Sequence, residues 1–196
     1  MDDSQNTSFE NLGLGPSDVA FQEALRGAQE GAVHAQSNVA LFYATGTGVQ
    51  QDYSEALKWW RRAGEQGDVE AEYQIGNLYS NGWGVPRDPY EAAKYFRIAA
   101  EKGHASAQFN LGGQYGRGEG VPLDQDQAYF WFDRAAGGYQ ERIDSGWDNF
   151  KKYRDDAIRQ RRRARIAGRR RRRRLPGNWR SSCTRPRCGS RRSRAW

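Results

Sequence analysis

One spacing governs this chain: the same residues return every 36 positions. Ala35, Ala71 and Ala107 form one series, and Tyr43, Tyr79 and Tyr115 another. Gly46, Gly82 and Gly118 follow the same step, as do Gly48, Gly84 and Gly120, Val49, Val85 and Val121, and Asp52, Asp88 and Asp124. Ala56, Ala92 and Ala128 continue the pattern, and so do Ala63, Ala99 and Ala135. Size classes repeat too, in Val39, Ile75 and Leu111 and in Trp60, Phe96 and Phe132. A fixed period of this length is the signature of a stacked array of one supersecondary unit. Units are expected at 33–68, 69–104 and 105–139.

Each unit reads as two helices. In the first, Ala35, Val39, Ala40 and Tyr43 recur at helical spacing. The Gly-x-Gly pair then ends it, since glycine accepts the left-handed backbone that follows a helix C-terminus. Asp52, Asp88 and Asp124 stand just before the next periodic run. A carboxylate there can accept the free amide protons of a helix start. The second helix carries Ala56, Trp60 and Ala63 on one face and is followed by Gly67. Small residues let helix axes approach, and the aromatics fill the space between. A lone hairpin of this kind cannot bury its apolar face, but a stack of them can.

The run from Ala71 to Asp88, Ala-x-Tyr-x-Ile-Gly-x-x-Tyr-x-x-Gly-x-Gly-Val-x-x-Asp, followed by Ala92, Phe96, Ala99, Ala100 and Gly103, resembles the Sel-1-like repeat, a relative of the tetratricopeptide repeats. The resemblance implies an all-α, right-handed α/α superhelix of helix-turn-helix units that acts as a non-catalytic scaffold or adaptor. Its partner is then a protein or peptide. Residues 20–31 align with a second helix but carry Ala24 where Trp60 stands, so 16–32 is expected to form a degenerate half-repeat cap after a flexible segment 1–15. The third unit has Gly137, Gly138 and Tyr139 where Gly67 and Gly103 end the others, which predicts a register change. From Tyr139 to Arg165 the spacing predicts one helix, with 140–167 as the C-terminal cap.

At 100° per residue, the side of each first helix opposite the repeated positions carries His34, Ser37, Leu41 and Ala44; Glu70, Tyr73, Asn77 and Ser80; and Ser106, Phe109, Gly113 and Gly116. In tetratricopeptide-like stacks this side lines the concave groove. The expected partner-binding residues are Ser37, Leu41, Tyr73, Asn77, Ser80 and Phe109. Tyr73 and Phe109 are either aromatic anchors or packing between helices. Asn77 suits an extended peptide backbone.

Charge divides the chain. Residues 1–150 sum to −11 and residues 151–196 to +18, within a net charge of +7. The acidic body favours a basic or neutral partner segment. The basic part holds Arg161, Arg162 and Arg163, then Arg169, Arg170, Arg171, Arg172, Arg173 and Arg174, and 168–196 is expected to be disordered by self-repulsion. Three readings stay open for it. It is a polycation for nucleic acid or anionic lipid, with binding that weakens steeply in salt. It folds back on the acidic body and blocks the groove. Or it is a segment without function, since an aperiodic mix of Arg, Ser, Gly, Pro, Cys and Trp is what GC-rich DNA gives out of frame.

No catalytic constellation is visible, and neither a metal nor a cofactor is expected. His34 and His104 align with unrelated residues in the other units. The Gly-x-Gly loops follow helices rather than strands and lack the Gly-Lys-Ser/Thr ending of a phosphate loop. Cys183 and Cys188 are the two cysteines, both in the basic part. The polar, acidic start and the lack of a long apolar run favour a cytoplasmic setting.

Overall fold

A computed structural model describes residues 15–174 of the chain. The expected flexible N-terminus, apart from its last residue, and the tail beyond 174 lie outside the described residues. The helices are α1 (Pro16–Gln29), α2 (Val33–Thr45), α3 (Tyr53–Glu65), α4 (Val69–Asn81), α5 (Pro89–Glu101), α6 (Ala105–Arg117), α7 (Gln125–Asp144) and α8 (Lys151–Arg174), with a 3-10 turn at Asp148–Phe150 before α8. Among the described residues there is no strand, and no helix is long and apolar enough to cross a membrane. The helices pair in order to form a right-handed α/α superhelix.

The repeated residues do the work expected of them. Asp52, Asp88 and Asp124 cap α3, α5 and α7, each accepting from the two backbone N–H groups at the following turn. Their own N–H groups donate to the carbonyls of Tyr43, Tyr79 and Tyr115 at 2.9 to 3.0 Å, so the repeated tyrosine also holds the loop. The repeated alanines are buried except Ala35, which is half-buried, and Trp60, Phe96 and Phe132 are buried. Phe96 lies flat over Gly76, where a Cβ would stand 2.6 Å from its ring. Arg61 donates to the Tyr79 hydroxyl at 2.7 Å, and Arg97 donates to Tyr115 at 2.8 Å, one period on.

The second glycine of each Gly-x-Gly pair joins one unit to the unit before it. Gly84 sits against Tyr53 and Ser54 at the start of α3, and the Ser54 hydroxyl donates to its carbonyl at 3.1 Å. Gly120 sits in the same way against Pro89 and Tyr90 at the start of α5. Both have positive φ, and neither has room for a side chain.

A polar pair with one buried member crosses two of the joints. Gln66 donates to Gln36 at 2.8 Å, and one period later Lys102 donates to Glu72 at 3.0 Å. The next pair would be Gln108 with residue 138, which is a glycine. Gln108 Nε2 reaches the Ala100 carbonyl at 3.0 Å, and its Oε1 is buried without a partner.

The third unit departs from expectation at its end. Gly137 and Gly138 stay helical, and α7 runs on to Asp144. Tyr139 explains the extra turns: it is buried, stacks on Phe150 and donates to the Ser106 hydroxyl at 3.2 Å. The chain breaks at Gly146, with φ of 94°, so the single helix expected over 139–165 is two. Helix α8 then runs to Arg174, past the boundary at 168 where disorder was expected. It lies antiparallel to α7, as Arg154 with Gln140, Arg161 with Asp133 and Gly168 beside Asp126 show. Its packed stripe is Ala157, Ala164 and Gly168, small residues that let the two axes come close.

Candidate partner-binding groove

The residues expected to face a partner divide into two groups. Three are used by the fold. The Ser37 hydroxyl donates to the Asp68 carboxylate, which also caps α4. Tyr73 is half-buried and stacks on His104, with ring centres 4.4 Å apart. Phe109 is half-buried with its edge on Phe132 at 5.4 Å, but it also borders open space. Leu41 is 52% exposed and lines neither cavity described below. Asn77 and Ser80 do line one.

That space is a pair of cavities meeting across α6. One, of about 240 Å³, lies between α4 and α6 and includes Asn77, Ser80, Asn81 and Asn110. The other, of about 320 Å³, lies between α6, α7 and α8 and includes Phe132, Gln160, Arg163 and Ala164. Phe109, Gly113 and Arg117 border both, so the two form one recess. Helix α8 is one wall of it.

Glycine makes the recess. Gly113 stands one and two periods after Asn77 and Leu41, and Gly116 after Ser80 and Ala44. The third unit thus withholds side chains that its neighbours supply. A Cβ on Gly113 would meet only the Arg117 guanidinium, at 3.1 Å. Along the α4 side the lining is amide-rich. Asn77 donates to Gln74 at 3.2 Å and accepts from Asn110 at 3.5 Å, while Asn81 donates to the Asn77 carbonyl at 2.8 Å. These groups suit the N–H and C=O groups of an extended chain.

His104, Glu70 and Tyr73 form a second cluster beside the recess. His104 Nδ1 accepts from the Ala107 N–H at 3.1 Å and so caps α6. That leaves the proton on Nε2, which donates to Glu70 at 3.1 Å. The bond holds the Glu70 carboxyl below the ordinary carboxylate range. His104 is an N-cap and a joint between units. Among the described residues no three His, Cys, Asp or Glu side chains are grouped as metal ligands.

The arginines of α8 sit in different surroundings. Arg161 is paired with Asp133 on α7. Arg163 turns to the recess, and Arg162, Arg169, Arg170 and Arg171 are exposed. The side chains of Arg172, Arg173 and Arg174 lie outside the described residues. Sequence reading missed Asn110, Gln114, Arg117 and Gln160. The available signal was the loss of side chains at Gly113 and Gly116.

The model of the Sel1 repeat matches residues 33–68, 69–104 and 105–137. No curated protein matches. Among solved structures, a Sel1 repeat protein from Oxalobacter formigenes is 30% identical, with 76% of this chain and 64% of that chain covered and a TM-score of 0.60. A protective antigen of uropathogenic Escherichia coli with an SLR fold is 32% identical over 71% of this chain and 33% of its own, with a TM-score of 0.59. Cysteine rich protein B of Helicobacter pylori shares the fold at 20% identity, covering 63% and 92%, with a TM-score of 0.52. This chain therefore spans 64% and 33% of the length of the first two.

Proposed function

The chain belongs to the Sel1 repeat family, and from that premise we propose that it is a non-catalytic scaffold holding an extended segment of a protein partner in the recess between α4, α6 and α8. Sel1 repeat proteins are generally protein-interaction scaffolds. The observation that carries the reading is the glycine floor at Gly113 and Gly116, beside which the recess between α4, α6 and α8 opens. A stack needs no such opening for its own stability.

The test is photo-crosslinking of the full chain in its source cell. A photoreactive residue at Asn81, on the rim, should join a partner of defined mass. The same residue at Lys94, exposed on α5, should not. Gly113→Leu should abolish the adduct at Asn81 without unfolding the chain. Equal adducts at both positions, or an adduct insensitive to Gly113→Leu, would sink the assignment.

A second reading rests on α8, which presents Arg162, Arg165, Arg169 and Arg170 to solvent on a packed helix. It is polyanion binding. Retention on nucleic acid or anionic vesicles that falls steeply with salt, and is lost when these four become Gln, would support it.

A further inference from the structure

The recess carries the opposite charge from the body around it. Residues 1–150 sum to −11, yet neither cavity is lined by Asp or Glu, and Arg117 and Arg163 both border the larger one. Arg117 is held in place. Its Nε donates to Glu119 at 2.9 Å, and Glu119 also takes Arg87. The Arg117 guanidinium beside Glu119 keeps that carboxyl below the usual range, so the clamp persists. A guanidinium has five N–H donors in a planar fork, so one bond to Glu119 leaves the Nη groups free over the Gly113 floor. Arg163 has no acidic partner among the described residues.

Two other features define what fits. Phe109, Phe132 and Ala164 give the larger cavity an apolar wall. Gln114 lines the smaller one; its Nε2 donates to the Pro89 carbonyl at 3.2 Å, and its Oε1 is buried without a partner. A buried acceptor left empty is costly and is relieved by an incoming N–H.

We propose that the recess selects an acidic peptide segment, with an Asp or Glu carboxylate between Arg117 and Arg163 and the neighbouring apolar side chain against Phe109 and Phe132. The inference rests on the scaffold reading and names the chemistry of its partner. It reverses the preference that the −11 of residues 1–150 suggests. Glu119 is shared between Arg117 and Arg87 and offsets one of their two charges, and more distant exposed carboxylates are screened over about 8 Å at physiological salt. A charge-assisted, bidentate contact acts at short range and adds directionality.

The experiment is an NMR titration of the ¹⁵N-labelled full chain with the blocked peptide acetyl-Gly-Leu-Asp-Gly-amide and its Asn twin. Shifts at Gly113 and Gly116 report the site. The Asp peptide should bind about tenfold more tightly than the Asn twin, the ratio expected for one well-made charged contact. Arg117→Gln and Arg163→Gln should each erase that ratio. Arg165→Gln, equal in charge but outside both cavities, should preserve it. Equal binding of the two peptides, no shift at the two glycines, or equal effects of Arg163→Gln and Arg165→Gln would overturn the proposal. If the Asn81 adduct is lost in Gly113→Leu but unaffected by Arg117→Gln and Arg163→Gln, the scaffold reading stands and the acidic partner falls. If Gly113→Leu leaves the adduct intact, both fall.

Discussion

The first and third units share a backbone and differ on their inner side. Each has a first helix of 13 residues, ended by a left-handed glycine and followed by a capping aspartate. Where the first unit carries Ser37, Leu41 and Ala44, the third carries Phe109, Gly113 and Gly116. Where α2 starts at Ala32 with no side-chain cap, α6 starts at His104, which caps it. The positions that repeat build the stack, and the recess beside α6 comes from positions that do not repeat. Exchanging residues between the units tests that division.

The largest effect should come from a repeated position. Gly120 has φ of 71°, and a Cβ there would overlap the Pro89 carbonyl and lie 2.8 Å from the Tyr90 nitrogen. Those atoms belong to backbone and cannot step aside. Left-handed backbone alone costs a residue with a Cβ about 1–2 kcal/mol. Gly120→Ala adds separation of two units, so a loss of about 3 kcal/mol or more is expected by urea unfolding. Gly103→Ala, also at positive φ but with nothing within 4 Å, should cost only the backbone term. Equal losses would show that the glycine joint does not hold the units together.

The next largest should come from the capping position. His104→Ala gives α6 the uncapped start of α2. It removes the bond from the Ala107 N–H, the bond to Glu70 and the stack on Tyr73. A lost cap costs about 1 kcal/mol, and an aromatic pair adds about 0.5–1.5 kcal/mol. A total near 2 kcal/mol is therefore expected from thermal or urea unfolding. His104→Asp, which copies Asp68, should recover the cap but not the stack. A variant no better than His104→Ala would mean that capping contributes nothing at this joint.

The stack was readable in the sequence because packing forces the same residue types into equivalent places. Three alanines at one position, or three capping aspartates, have one physical explanation each. The polar pair across two of the joints was less visible because its chemistry changes, from Gln36 with Gln66 to Glu72 with Lys102. Helix α8 was harder still. Its composition signals self-repulsion, yet Ala157, Ala164 and Gly168 dock it on α7, and Asp133 offsets Arg161. A stripe of small residues carries little signal until its neighbour is known. Leu41 and Tyr73 were placed on the correct helices, but periodicity does not say whether an aromatic finds a partner such as His104.

Third in size is a change in the recess. Gly113→Leu places on α6 the residue that α2 carries as Leu41. The new Cβ meets only the end of the Arg117 side chain. A flexible end can move, and leucine is a better helix former than glycine by about 0.5–1 kcal/mol. Stability should therefore stay within about 1 kcal/mol of the parent, measured by urea unfolding, while the recess closes. A strong loss of stability would place Gly113 among the structural positions and undo the division between stack and site.

The smallest effect separates the joint before α6 from the one before α4 by acidity. The Glu70 carboxyl is lowered chiefly because His104 Nε2–H donates to it; burial opposes this, and Gln74 adds a bond at 2.7 Å. A carboxyl whose folded value lies below its unfolded one stabilises the fold fully above the ordinary value, near 4.5. That contribution disappears as pH falls through the lowered value. Glu70→Gln keeps an acceptor for His104 but has no such dependence. Between about pH 5 and pH 3 the parent should lose more stability than Glu70→Gln. Glu70 is more than half exposed, so screening by water keeps the difference to about a few tenths of a kcal/mol. Parallel pH profiles would mean that the His104 bond to Glu70 is not maintained in solution. The joint would then be held by the cap and the Tyr73 stack alone.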